Sequence, residues 1–331
     1  MQPARIYYET DVLNYELGKE LYQKYQSIEW IEIDSHNNIE ELRAKENKEF
    51  VSMKKLFILG VRKTHKYTEN HKVSDYLVPY TSSGCSAMCL YCYLVCNYNK
   101  CSYLRLFVNR EQMLDRLVRF SNKSERALTF EIGSNSDLIL ENTLTGNLVW
   151  TIENFIRDGK GNLTFPTKFS MVDPLLSLDH KKRVVFRMSL NPTYMIQNIE
   201  LGTASLWSRI EAVNKMVDAQ YKVGILLAPI ILVDNWKVLY SQLLDILNDL
   251  LSKKMKDQMF FEIIFMTYSF VHRKINNDAF PEAIELYNKE YMTGRGMGKY
   301  CYKSELRREG EAFLQEEIEK RFGKNKILYF S

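Results

Sequence analysis

The sequence predicts an α/β fold, a partial (β/α)6 barrel preceded by an N-terminal extension. Three observations predict it. The chain has 331 residues with 46% hydrophobic and 26% charged residues, which is the composition of a soluble globular protein with one large domain or two modest ones. Six apolar, β-rich runs follow one another after residue 100, and helix-period stretches separate most of them. Strand–helix units in series fold as a parallel sheet covered by helices. Six such units predict a partial barrel rather than a closed eightfold one, with ligands at the C-terminal ends of the strands.

The elements are read in order along the chain. The first 75 residues are polar and interrupted, with a helix expected at Val12–Gln26, a charged stretch at Glu40–Glu49 and a strand at Phe57–Val61. Arg62–Lys72 is basic and loop-like, and a strand is expected at Tyr76–Tyr80. The six runs are Tyr103–Val108, Leu128–Ile132, Leu163–Phe165, Val184–Leu190, Val223–Ile231 and Phe260–Met266. The clearest helical stretches are Arg110–Phe120, Asn142–Ile156, Ala204–Ala219 and Trp236–Leu251, where apolar residues recur with a helical period. The resulting division is an N-terminal extension over 1–75, the barrel with its cysteine-bearing loop over 76–270, and a C-terminal segment over 271–331.

Composition also bounds the chemistry. Lys plus Arg is 45 and Asp plus Glu is 41, a net charge of +4. That small surplus fits local contact with a polyanion better than coating of one. The longest apolar stretch, Val223–Val233, contains a glycine and a proline and is too short to span a bilayer. The N-terminus shows no apolar run of signal-peptide type. A cytoplasmic protein without membrane contact is therefore expected, in a compartment where thiols stay reduced.

Against that background the cysteines stand out. Of the 6 cysteines, all but Cys301 fall between Cys85 and Cys101. Cys85, Cys89 and Cys92 have the spacing C-x3-C-x2-C. Three thiolates on one loop grip a metal cluster from one side, and a 4Fe-4S cluster with three protein ligands keeps one iron open for chemistry. A structural zinc site is the alternative. It usually pairs two C-x2-C elements or adds two histidines, and the five histidines here show no ligand-pair spacing. Cys96 or Cys101 as a fourth ligand keeps zinc open on spacing alone.

The C-x3-C-x2-C element with Tyr91 before its third cysteine resembles the radical S-adenosylmethionine superfamily, whose fold is the partial (β/α)6 barrel. The likeness extends to one branch. Tyr15–Tyr25, Gly60–Thr64, Gly84–Leu94, Tyr103–Asn109, Phe130–Asp137, Thr167–Phe169, Tyr221–Ile230, Gly296–Tyr302 and the terminal ILYFS resemble the spore photoproduct lyase family. That resemblance implies a DNA-repair enzyme of a spore-forming bacterium. It would split a methylene-bridged thymine dimer back to two thymines with a deoxyadenosyl radical made from S-adenosylmethionine. The lesion would be turned out of the stack, at reduced cost because that step is already damaged. A reducing partner such as flavodoxin or ferredoxin is implied.

Carried over residue by residue, the resemblance makes Cys85, Cys89 and Cys92 the cluster ligands. It places Ser136, Lys168, Ser189 and Ala228 where the family contacts S-adenosylmethionine or the lesion. Tyr91 and Tyr93 match tyrosines beside the cluster, and Tyr93 matches one implicated in relaying a hydrogen atom. In the bare sequence, Lys168 reads equally as a solvated lysine and the two tyrosines as packing. Two departures stand out. Ser134 occupies the position of the family's hydrogen-donating cysteine, and a serine O–H holds its hydrogen too strongly to replace a thiol. Cys96, Cys101 and Cys301 are spare, and Cys96, nearest the cluster loop, is the expected replacement donor, with an inert core residue as the plain alternative. Near Arg295 the chain is one residue shorter than the family and lacks the tyrosine of an Arg-Tyr pair.

Lys299, Lys303, Arg307 and Arg308 follow Arg295 at near-helical spacing, with Tyr300 and Tyr302 interleaved. Such a stripe neutralises phosphates and predicts C-terminal DNA-binding elements. Glu305, Glu309 and Glu311 make a solvated helix face the alternative. Two rival functions stay open on these grounds. One is a radical enzyme with another substrate, marked by Ser134. The other is a zinc-stabilised nucleic-acid-binding protein.

Overall fold

A computed structural model describes residues 2–97 and 101–331. The chain forms two compact units. One holds the chain up to Ser86 with Asn97–Thr167 and Asp173–Val185, and the other holds Ala87–Cys96, Lys168–Val172 and Phe186–Ser331.

The first unit contains more β-structure than its polar N-terminal sequence suggests. Arg5–Glu9, Trp30–Ile33 and Leu56–Gly60 are parallel strands with Arg5–Glu9 in the middle. Leu104–Phe107 adds to the far side of Leu56–Gly60, also in parallel, and Ser82–Ser83 pairs with it antiparallel. The run Tyr103–Val108 was expected to lead the barrel series and instead completes this second sheet. The reason lies in its burial on both faces: all four residues of Leu104–Phe107 are buried, as a central strand requires, and the one charge among them, Arg105, donates to Ser83 Oγ at 3.0 Å. Ile6, Leu17, Leu21, Phe57, Leu104 and Leu106 belong to one apolar cluster with Leu144. The expected helix over Val12–Gln26 is a 3-10 turn, Thr10–Asn14, followed by a helix at Glu16–Lys24.

The other strands of this unit run in the order Asn162–Thr167, Thr129–Ile132, Tyr76–Val78, all parallel where paired, with Thr68–Glu69 antiparallel at the edge. The helix expected over Asn142–Ile156 is two helices, Leu138–Thr145 and Asn147–Asp158. Gly146 separates them in the left-handed conformation, φ 65°, which ends a helix cheaply only when the residue is glycine.

In the second unit Lys222–Ile230, Phe260–Phe265 and the C-terminal Ile327–Phe330 are parallel. Val184–Ser189, whose residues from Phe186 on belong to this unit, neighbours Lys222–Ile230. The helices Leu206–Asp218, Trp236–Leu250 and Ser304–Phe322 lie in the same unit. Phe261 and Phe322 meet with ring centroids 5.4 Å apart, and Leu243, Leu244, Leu247, Leu314 and Ile318 are fully or almost fully buried. The strand Ile327–Phe330 was not expected, because its alternation is only four residues long.

One charge is sealed into that sheet. Glu262 is fully buried, 3.2 Å from the Arg187 guanidinium, and accepts a hydrogen bond from the Tyr329 hydroxyl at 2.6 Å. Breaking such a pair from one side leaves an uncompensated buried charge. Arg187→Met is expected to cost about 3–5 kcal/mol in denaturant unfolding, and Arg187→Met with Glu262→Leu to recover most of that loss.

Candidate active site

Cys85, Cys89 and Cys92 are all partly exposed, and no disulfide joins any of the six cysteines. The approach to Cys85 is set by local chemistry in the first unit. Gly84 has φ +78°, and a Cβ there would lie 2.0 Å from the Tyr103 carbonyl oxygen, so glycine alone fits. Its N–H donates to the Asn135 carbonyl at 2.7 Å, and it bridges Ser136. The buried Lys54 ammonium donates to the Cys85 carbonyl at 2.8 Å and to Ser102. Ser82 joins the loop to Ser136 through their hydroxyls, 2.7 Å apart, and also donates to Glu141. Burial raises the Glu141 carboxyl above its ordinary range, while donors from Ser82, Asn147, Thr81 and Thr145 pull it back. Asp137 caps the helix Leu138–Thr145 by accepting from Ile139 and Leu140, and Thr167 donates to it at 2.8 Å. Ser134 donates to Glu131 at 2.9 Å.

In the second unit three of the expected residues converge. The Lys168 ammonium donates to Ser189 Oγ at 2.6 Å and to the Ala228 carbonyl at 2.8 Å, and Ser189 donates to the same carbonyl at 2.9 Å. That carbonyl is available because the ladder between Lys222–Ile230 and Phe260–Phe265 shifts register between Leu227 and Ile230. Irregularities of this kind re-aim backbone groups at sites. Lys168 is thus a held side chain, not a solvated one.

Behind it lies a residue that sequence reasoning missed. Glu200 is fully buried, 3.5 Å from the Lys168 ammonium and 2.7 Å from the Arg209 guanidinium. Tyr91 and Asn191 donate to it at 2.5 and 2.8 Å. Burial alone drives this carboxyl upward, but Lys168 and Arg209 outweigh that and hold it at about 2. Burial and the Glu200 charge push the Tyr91 phenol well up, so it remains a donor. Glu200 also pairs in backbone register with Cys89 in a short antiparallel bridge, Glu200–Leu201 with Met88–Cys89. One buried carboxylate therefore ties a cysteine of the loop, a tyrosine of the loop and the Lys168 cation together.

Tyr93 is half-exposed at 50%. Cys92 N–H donates to Cys89 O at 3.0 Å, which closes the turn of the C-x2-C element. The Cys92 carbonyl lies 3.0 Å from His272 Nε2, and Cys96 Sγ lies 3.3 Å from Ser269 Oγ and 3.7 Å from His272 Nε2. Cys101 is buried, its thiol on the Phe50 carbonyl. Cys301 sits on the strand Lys299–Tyr302.

That strand corrects the expected basic stripe. Lys299 and Tyr300 belong to a hairpin of Met292–Gly296 and Lys299–Tyr302, and only Arg307 and Arg308 lie on the helix Ser304–Phe322. Helical spacing failed here because the positive φ values of Gly296, Met297 and Gly298 turn the chain back on itself. Arg295 and Lys299 flank that turn and are exposed, whereas Arg307 is engaged with Glu311 at 2.8 Å. Tyr300 packs edge-on against Phe270, centroids 5.1 Å apart.

A sequence profile described as "Spore photoproduct lyase" matches residues 1–331. The chain belongs to the spore photoproduct lyase family. It is 32% identical to the spore photoproduct lyase of Bacillus subtilis (strain 168), over 99% of this chain and 98% of that protein. It is 30% identical to that of Geobacillus sp. (strain Y412MC61), with the same coverage. A solved spore photoproduct lyase variant with bound AdoMet and dinucleoside spore photoproduct superposes with a TM-score of 0.91 at 30% identity, covering 99% of each chain. Another spore photoproduct lyase, complexed with dinucleoside spore photoproduct, superposes with a TM-score of 0.89 at 29% identity, again over 99% of each chain. The fold is that of these relatives, the partial α/β barrel of the radical S-adenosylmethionine type.

Among the described residues no three His, Cys, Asp or Glu side chains are gathered as a ready metal-holding group. The donor chemistry nonetheless fits the family's 4Fe-4S cluster. Three thiols lie within eight residues, all partly exposed and none tied up in a disulfide. Thiolates are the usual cluster ligands. Glu200, Arg209, Ser269 and His272 carried no signal in the sequence, since nothing local marks a charge as buried.

The Glu200 carboxyl is held below its unfolded value, so its contribution to stability is complete above about pH 4.5 and is lost as pH falls toward 2. Glu200→Gln is expected to lose on the order of 3 kcal/mol at neutral pH. The gap in Tm from the unmodified chain should close as the pH is lowered from about 5 to 2.

Proposed function

We propose that this chain is a DNA-repair lyase that returns the spore photoproduct thymine dimer to two thymines. The observation that carries this reading is the full-length match, residues 1–331, to spore photoproduct lyases. Solved relatives, matched over 99% of their length, hold the dinucleoside photoproduct itself, in one case with AdoMet. A 4Fe-4S cluster held by Cys85, Cys89 and Cys92, with S-adenosylmethionine, supplies the hydrogen-abstracting radical chemistry when bound.

The chain's own residues do the rest. Lys168, steered by Ser189 and the Ala228 carbonyl, presents a cation at the strand ends, where it pairs with the carboxylate of S-adenosylmethionine. Glu200 takes up the other side of that charge and fixes Tyr91 beside the loop. Ser136, tied to Ser82, lines the approach from the cluster loop. Tyr93, half-exposed, relays a hydrogen atom, and Cys96 donates the final one in place of Ser134. Arg295 and Lys299, on either side of the hairpin turn, bind phosphates while Tyr300 supplies an aromatic face, and the lesion is turned out of the duplex.

No helix among the described residues is long and apolar enough to cross a membrane. The likeness to the enzyme of Bacillus subtilis supports placing the chain in the cytoplasm of a spore-forming bacterium. A reduced flavodoxin or ferredoxin is the expected electron source. The reading as a radical enzyme with another substrate is not favoured, because the curated relatives named above are themselves spore photoproduct lyases. The zinc reading gives way with it.

Purified without oxygen, the protein is expected to be brown, with about four irons per chain. It should convert dinucleoside spore photoproduct to thymine when given S-adenosylmethionine and a reductant. Lys168→Met should lose most of that turnover through weaker cofactor binding. Cleavage of S-adenosylmethionine with the photoproduct left intact would contradict the assignment.

A further inference from the structure

The end of the repair reaction leaves a carbon radical on thymine, which needs a hydrogen atom. Ser134 is doubly unsuited to give one. Its O–H bond is strong, and its hydrogen points to the Glu131 carboxylate at 2.9 Å. Cys101 is only 1% exposed. Cys96 is exposed, four residues beyond Cys92, and it sits in a polar network whose hydrogen directions can be worked out.

The Cys92 carbonyl oxygen can only accept, so His272 Nε2, 3.0 Å away, carries a hydrogen. The ring is buried and stacked on Tyr268, centroids 5.2 Å apart. In the neutral ring Nδ1 is then an acceptor, and Ser269 Oγ at 3.0 Å fills it by donating its only hydrogen. Ser269 Oγ is left to accept, from the His272 backbone N–H at 3.4 Å and from Cys96, whose Sγ is 3.3 Å away. No acceptor in the network is left to remove the thiol hydrogen. The sulfur keeps it, as a hydrogen-atom donor must, and points it at a hydroxyl that binds it weakly.

Resting on the lyase reading above, we infer that Ser269 and His272 are positioning residues that hold Cys96 as the hydrogen-donating thiol of this chain. The step balances without an outside oxidant. The Cys96 S–H bond breaks homolytically as a C–H bond forms on the thymine radical, leaving a thiyl radical on sulfur. The thiyl radical regains its hydrogen from the phenol of Tyr93, three residues earlier, and the phenoxyl takes one from the deoxyadenosine that received the lesion's hydrogen, which restores the deoxyadenosyl radical. No net electron is gained or lost.

Two readouts test this. The first needs no cofactor. The infrared S–H stretch that disappears in Cys96→Ala should move to higher frequency in Ser269→Ala and stay in place in Ser269→Thr, which keeps the hydroxyl and the helix cap. An unmoved band in Ser269→Ala would overturn the inference. The second is the partition of products from the dinucleoside photoproduct in D2O. The unmodified chain should place solvent deuterium, through the exchangeable thiol, in the repaired thymine methyl group. Cys96→Ala should still open the photoproduct but divert most of it to radical-trapped side products. Ser269→Ala and His272→Ala should lower the thymine fraction several-fold, whatever the turnover, where a purely structural defect would lower all products together. Clean thymine from Cys96→Ala would refute the donor assignment. No opening of the photoproduct by the unmodified chain would instead refute the lyase reading.

Discussion

The burial of Glu200 is the constraint on which the arrangement around Lys168 in the second unit depends. A fully buried carboxylate survives only when its charge is answered, and here Arg209 and Lys168 answer it while Tyr91 and Asn191 supply hydrogen bonds. Each partner has a second duty. Arg209 also donates to the Ser189 and Ala204 carbonyls. Asn191 receives the Tyr240 hydroxyl, which in turn accepts from Ile231 N–H just past the strand that carries Ala228. The backbone of Glu200 pairs with Cys89. A single ionised group therefore fixes strand ends, a tyrosine and the cysteine loop in one electrostatic arrangement. Of its two cations Arg209 is fully buried, while Lys168 keeps part of its side chain exposed.

Much of the fold was legible because periodicity records burial. The apolar runs from Leu128 to Met266 became strands close to their expected bounds, and Arg110–Lys123 and Trp236–Leu250 became helices as their spacing required. Failures came where a local signal was overridden. Gly146 cut one expected helix in two by adopting a left-handed conformation. The strands at Arg5–Glu9 and Trp30–Ile33 were hidden because neither is a long alternating or apolar run. Lys299–Tyr302 matched a helical stripe only because charged residues are scattered densely there.

The site was legible to the extent that chemistry is written in residue type. Three thiols at C-x3-C-x2-C spacing mark a candidate metal-binding loop by residue type alone. Lys168, Ser189 and Ala228 were named from resemblance, and the structure places them within hydrogen-bond distance of one another. Glu200 and His272 were not legible. Their importance comes from partners far away in sequence, Arg209 and Lys168 in one case and Cys92 and Cys96 in the other, and pairing over such separations leaves no local trace. Ser134 was the converse case: the departure and the spare Cys96 are both visible in the sequence, while the Ser269 and His272 side chains beside that thiol are visible only in space.

The central claim is that the Glu200 charge, through Lys168, prepares the cofactor site. Calorimetric titration of S-adenosylmethionine into the iron-loaded protein tests it most directly, comparing the unmodified chain with Glu200→Gln at equal iron content and unchanged circular dichroism. The account predicts about tenfold weaker binding for the variant, the loss of one charge-assisted interaction. Equal affinity in the two proteins would contradict it.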